Sequence, residues 1–182
     1  MFLIDTRNVE EFIQGHLQYS VFVGFKGGSF EHWLPKLLPN KKAEFKLISN
    51  PIDTDEVTQK LEDMGYHNFH SMTLENSSKL VELPSISAAD FVDNLDKVEQ
   101  ILDVREEPEV MNFHLKDSEN LPLSEILNGK EPRNKGHYYT HCAGGYRSVI
   151  AISYLNRSKH NQFTNVIGGL SAIKAYVDQK RA

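Results

Sequence analysis

Apolar residues along this chain fall into short runs separated by polar turns, and the runs follow two different periods. "FLID" (2–5), "KLIS" (46–49), "QILDV" (100–104) and "YYTHC" (138–142) are brief and bounded by polar residues, the pattern of buried strands. Between them lie stretches with helical spacing. These are "AADFVDNLDKV" (88–98), "SVIAISYLN" (148–156), with Val149, Ile150, Ile152 and Ser153 near one face, and "SAIKAYVDQKRA" (171–182). Strands alternating with helices over short connections predict α/β units, each a small parallel sheet flanked by helices.

The pattern occurs twice. "FLIDTRNVEEFIQGHL" (2–17) reappears as "QILDVREEPEVMNFHL" (100–115), an apolar strand followed by Asp-x-Arg, an acidic helical turn and His-Leu. Asp5, Arg7, Glu11, His16 and Leu17 stand opposite Asp103, Arg105, Glu109, His114 and Leu115. Residues 46–69 then resemble 138–163 in form: a strand, a turn, an amphipathic helix and a short strand with Phe. This pairing sets Asn50 opposite Cys142. The chain reads as two related units, residues 1–75 and 85–182, with a polar linker at 76–84 punctuated by Pro84. The first unit has no counterpart of "SISAADFVDNL". The reading therefore predicts residues missing upstream, either because the chain is a piece of a longer polypeptide or because this unit has lost its first strand and helix.

Composition narrows the class. A net charge of −5 over 182 residues offers no basic field for nucleic acid or an anionic membrane. No apolar run is long enough to span a bilayer, and Asp5 and Arg7 interrupt the opening run too early for a signal peptide. The single cysteine excludes an internal disulfide. Together with the lack of a targeting segment, it predicts the cytoplasm, where thiols stay reduced. His16, His32, His67, His70, His114, His137 and His160 share no ligand spacing, so neither a metal nor another cofactor is expected. The acidic runs "DTDE" and "REEPE" read as solvated faces.

That one thiol, Cys142, sits where "YYTH" ends and a helical run begins, in "CAGGYRS" (142–148). Open α/β sheets present functional groups at the carboxyl ends of their strands. Gly144 and Gly145 allow a tight turn that aims consecutive N–H groups inward as an anion nest. A helix starting near Arg147 or Ser148 adds its positive end. Arg147 adds a full charge and Ser148 a hydroxyl donor, a setting that favours thiolate over thiol. A buried cysteine serving only as a small apolar residue has no need of two following glycines, so the loop reads as a reactive site. His141 precedes the nucleophile on the other face of a regular strand and reads as a satisfied structural histidine.

"HCAGGYRS" resembles the active-site loop of the rhodanese family of sulfurtransferases. The resemblance extends to Asp103 and Arg105 and to "VIGGLSAIKAY" (166–176), similar to that family's closing Gly-Gly helix. It implies two rhodanese-like units, with Cys142 accepting sulfane sulfur as a persulfide. It also implies a substrate cradle of Ala143, Gly144, Gly145, Tyr146, Arg147 and Ser148. Substrates would be small sulfur-containing anions and thiol persulfides, thiosulfate among them. Asp103 is expected to bond loop N–H groups and Arg105 to pair with Glu109, both in structural support.

Departures from the family carry further expectations. Gly15-His16 keeps the usual Gly before His, but the second copy reads Phe113-His114, which predicts an altered backbone or a narrowed approach to the site. Ile173 and Tyr176 stand in the closing helix where a Trp is usual. The first unit's loop, "SNPIDTDE" (49–56), has no thiol, glycine or arginine. Asp53, Asp55 and Glu56 would repel an anion, so this unit is expected to be inactive. Residues 24–39 have the glycines and apolar residues of an interaction segment, although Trp33, Leu34, Leu37 and Leu38 fit a small core better. A short inactive unit before an active one resembles the C-terminal part of bacterial fusions carrying a persulfide dioxygenase, which implies such a domain or protein as a partner. No His-x-His-x-Asp-His motif occurs here, so any iron belongs to that partner.

Two other classes compete. Phosphatases and arsenate reductases also join Cys and Arg in an anion loop, but cysteine phosphatases use one residue more than the four between Cys142 and Arg147. A non-catalytic interaction module suits the first unit better than the second.

Overall fold

The computed structural model describes residues 1–27, 29–74, 79–158 and 160–181 and divides them into two compact units, Met1–Leu83 and Pro84–Ala182. In the first, β1 (Phe2–Asp5) leads through α1 (Val9–Gln14), β2 (His16–Leu17), β3 (Val21–Phe22) and α2 (Phe30–Leu37) to β4 (Phe45–Ile48). α3 (Thr54–Asp63), β5 (Phe69–Met72) and β6 (Leu80–Val81) complete it. The second unit opens with β7 (Ser85–Ile86), α4 (Ala88–Asp93), β8 (Ile101–Asp103), α5 (Glu107–Asn112) and β9 (Ser118–Asn120). It continues through α6 (Leu123–Leu127), β10 (His137–His141), α7 (Tyr146–Leu155), β11 (Gln162–Val166) and α8 (Gly169–Arg181).

The expected α/β class is what the chain adopts. Both main sheets are wholly parallel, ordered β3-β1-β4-β5 and β7-β11-β10-β8-β9. The two orders coincide when β1, β3, β4 and β5 are set against β8, β9, β10 and β11. β7 and α4 have no counterpart among the described residues of the first unit. No helix among the described residues is long and apolar enough to cross a membrane.

The stretch read as linker, 76–84, differs from that reading. Residues 76–78 lie outside the described residues, but Leu80 and Val81 form β6 and pair antiparallel with His16 and Leu17. Leu83 donates its N–H to the carbonyl of Ile13. Polar neighbours hid a strand of two residues. The helix expected over 88–98 ends at Asp93, where the Asn94 side chain bonds the Asp90 carbonyl and a 3-10 turn follows at Leu95–Lys97. Trp33, Leu34, Leu37 and Leu38 are buried, as the core reading of residues 24–39 anticipates.

In the second unit, Phe91 of α4 and Ile173 of α8 pack with Ile101 and Val166 on one face of the sheet. Tyr138 stacks on Phe163 on the face covered by α7. Because Cβ atoms alternate along a strand, Tyr138, Thr140 and Cys142 share that second face while Tyr139 and His141 turn to the first.

The Asp-x-Arg repeat forms the same clamp in both units. Arg105 donates from Nε and Nη2 to the carboxylate of Asp103 and from Nη2 to the carbonyl of Phe113 at 2.7 Å. Arg7 grips Asp5 in the same way and reaches the carbonyl of Gly15 at 2.8 Å. The expectation for Asp103 holds for one loop N–H, that of Arg105, and the expectation for Arg105 is corrected. Asp103 accepts the N–H and guanidinium of Arg105, and Arg105 meets only the backbone carbonyl of Glu109, not its carboxylate. Nor is the backbone altered at Phe113. Gly15 (φ −178°, ψ 120°) and Phe113 (φ −167°, ψ 135°) are both extended, a conformation open to any residue. A Cβ at position 15 would lie 3.2 Å from Leu80 Cδ1, close enough that this exposed side chain would have to shift by a few tenths of an ångström.

Replacing Arg105 with Met strands a fully buried Asp103 carboxylate without its counter-ion. This substitution is expected to cost about 3–5 kcal/mol, read from the urea midpoint at unchanged slope.

Candidate active site

The site is built where β10 stops. Val104 donates to the carbonyl of His141, the last ladder contact of the strand, and Cys142 follows directly. The chain must then reverse into α7. Gly145 makes the turn in the left-handed region (φ 97°), and the helix begins at Tyr146, one to two residues earlier than the sequence suggests. Space is the second reason for glycine, since a Cβ on Gly145 would lie 3.2 Å from the backbone nitrogen of Gly168.

The Gly168-Gly169 pair holds the loop from the other side. The first turn of α8 donates Leu170 N–H to the carbonyl of Cys142 at 2.8 Å and Ser171 N–H to that of Ala143 at 2.9 Å. These contacts require the backbones to touch: a Cβ on Gly169 would meet the Cys142 oxygen at 2.5 Å and the Ala143 oxygen at 3.0 Å. With those carbonyls tied to α8, the loop turns one N–H toward the sulfur. The N–H of Gly145 donates to Cys142 Sγ at 3.1 Å.

Cys142 is 1% exposed. Beneath it, Ser148 Oγ lies 3.8 Å from the sulfur and 2.8 Å from Oδ1 of Asn165, itself buried on β11. The hydroxyl can thus give its proton to Asn165 and accept from the thiol, or turn and donate to a thiolate. Asn165 was not singled out from the sequence. The signal was a polar side chain in the apolar run "TNVI", in register with Thr140 beside it. Tyr146 opens α7 half-buried, and burial pushes its phenol pKa up.

Arg147 is paired with an acid. Both its terminal nitrogens donate to Glu109, at 2.5 and 2.7 Å, and its charge also acts on Cys142. The hydrogen bond from Arg147 holds the Glu109 carboxyl below the usual carboxylate range, and the same bond raises Arg147. Glu109 also accepts the N–H of Glu106, so the carboxylate is fixed from two sides. Phe113 is exposed beside this pair's helix, with Lys174 Nζ 4.1 Å from its ring centre.

His141 differs from a fully satisfied structural histidine. Nδ1 lies 3.3 Å from the carbonyl of Cys142, but Nε2 has no hydrogen-bond partner among the described residues. Asp103 Oδ2 stands 3.9 Å away, beyond hydrogen-bond reach. Burial depresses its pKa and keeps the ring neutral.

The first unit shows what the loop becomes without this chemistry. Asp5 is in register with Ile48, and Asp103 with His141. The residue opposite Cys142 is therefore Ser49, not Asn50; likeness of form aligned the turns, whereas the ladder aligns the strands. Ser49 Oγ lies 2.8 Å from Thr54 Oγ1, an oxygen pair in the place of Cys142 and Ser148. Asn50 donates to Glu11, and Asp53 pairs with Lys26, so no cation remains within residues 49–54.

Residues 87–176 match the rhodanese-like domain family. The adenylyltransferase and sulfurtransferase MOCS3 of Arabidopsis thaliana is 30% identical over an alignment of 142 positions that covers 66% of this chain and 30% of that protein. The chain thus spans under a third of that relative's length. Among solved structures, a rhodanese-related protein from Thermoplasma volcanium is 30% identical over 53% of this chain and 92% of its own, with a TM-score of 0.43. A thiosulfate sulfurtransferase from Pseudomonas aeruginosa is 19% identical over 96% of this chain and 39% of its own, with a TM-score of 0.39.

Two outcomes test this geometry. Gly169→Ala is expected to cost about 1–3 kcal/mol for its left-handed backbone alone, with the contact against the Cys142 carbonyl adding to that, read by urea unfolding. Below about pH 6.5, the unfolded chain protonates its histidine while folded His141 stays neutral, so stability falls with pH until the depressed folded pKa is passed. His141→Gln should flatten that slope in urea titrations run at a series of pH values; an unchanged slope would contradict the assignment.

Proposed function

From the membership of residues 87–176 in the rhodanese-like domain family, we propose that the chain is a sulfurtransferase working through a persulfide on Cys142. One observation carries the reading: a buried Sγ at the end of a parallel strand receives the Gly145 N–H at 3.1 Å, where α7 directs its positive end. The Cys142 thiolate attacks the outer sulfur of thiosulfate or a low-molecular-weight thiol persulfide. A bond forms from Sγ to that sulfur as the donor's S–S bond breaks, and the bonding pair leaves with sulfite or the donor thiolate. A thiophilic acceptor then attacks the outer sulfur of the Cys142 persulfide, and the pair returns to Sγ. The two half-reactions run in ping-pong order. Sulfane sulfur passes at constant oxidation level, so no further oxidant or reductant is needed.

The loop suits this transfer because the negative charge stays close to fixed dipoles that need no rearrangement. The sulfurtransferase part of the Arabidopsis relative's name agrees with it. Phosphate chemistry is disfavoured by the four residues between Cys142 and Arg147, one fewer than cysteine phosphatases use. The first unit, with Ser49 for the thiol, is read as an inactive companion. A reducing compartment suits the thiol, and a persulfide dioxygenase domain or protein is a partner consistent with this chemistry.

Incubation with thiosulfate or glutathione persulfide, followed by gel filtration, is expected to add one sulfur atom to the intact mass of wild type and none to Cys142→Ser. A wild-type mass unchanged by every sulfane donor would overturn the proposal.

A further inference from the structure

We infer that Glu109 sets donor choice by cancelling the loop's only cation, so that Cys142 discriminates against dianionic donors and in favour of thiol persulfides. This rests on the sulfur-transfer reading and narrows it. Arg147 is the one cationic side chain between Cys142 and Ser148, and both its terminal nitrogens end on Glu109 in a two-pronged pair. The pair is not a loose surface contact. Arg147's side chain is 17% exposed and Glu109's 37%, but Glu109 is held a second time by the Glu106 N–H, and α5 is tied to the Asp103 clamp through Arg105. The contact given to Sγ is from a neutral backbone N–H.

Charge arithmetic then separates the donors. Attack of the Cys142 thiolate on thiosulfate gathers three negative charges in one loop and yields the persulfide anion and sulfite dianion. Attack on a neutral persulfide, R–S–SH, carries one negative charge at the reacting atoms and yields Cys142–S–SH and R–S⁻. Cancelled by Glu109, the loop has dipoles for the second path and no net charge for the first. In the first unit, Glu11 stands in the place of Glu109 but accepts from Asn50, in a loop that has no arginine.

The test compares kcat/KM for thiosulfate and for glutathione persulfide, each with cyanide as acceptor, in wild type, Glu109→Gln and Glu109→Asp. Glu109→Gln should move the ratio toward thiosulfate by roughly tenfold or more, the worth of a freed charge-assisted contact. Glu109→Asp, which keeps the charge but draws it back from Arg147, should move the ratio the same way by less, and it decides the matter if Glu109→Gln fails to fold. A merely structural glutamate would lower both rates together and leave the ratio in place, which would overturn the inference. If wild type takes sulfur from neither donor, the sulfur-transfer reading fails first, a result distinct from transfer with an unmoved ratio.

Discussion

The second unit depends on two hydrogen bonds that few residue types permit. Leu170 and Ser171, in the first turn of α8, take the carbonyls of Cys142 and Ala143, and they do so only because Gly169 leaves no Cβ between the backbones. Chain direction, helix start and sulfur environment follow. The carbonyls face α8, the N–H of Gly145 faces the thiol, and α7 opens immediately after a left-handed residue. A nucleophile held this way is preorganised by the sheet and two helices rather than by a flexible loop.

Much of this was legible in the sequence because it follows from period and punctuation. Short apolar runs placed β1, β4, β8 and β10, and the Cys-loop sat at a strand end with Gly168-Gly169 marked downstream. What escaped was set by partners distant along the chain. Asn50 resembled Cys142 in the form of its turn, yet register places Ser49 there. Phe113 looked like a disruption of a glycine position, but that position is extended in both units, and glycine at 15 only eases the approach of Leu80. β6 is two residues long and has no periodicity to read.

Arginine partners were the hardest to read. Arg105, Arg147 and Glu109 lie in one neighbourhood, and charge alone fits either arginine to the glutamate. Asp103, two residues before Arg105 and fully buried, claims the first guanidinium, and Glu109 is left for the second. This division makes Asp103 and Arg105 a structural clamp and leaves the loop with a cancelled charge.

If Cys142 alone holds sulfur between the two half-reactions, loading and discharge are separable. The direct measurement is a single turnover: protein loaded with a sulfane donor, freed of that donor by gel filtration, then mixed with cyanide while thiocyanate is counted. One thiocyanate per loaded chain is expected without donor present, and none from Cys142→Ser carried through the same steps. Thiocyanate that forms only when donor and acceptor are present together, or that persists in Cys142→Ser, would contradict it.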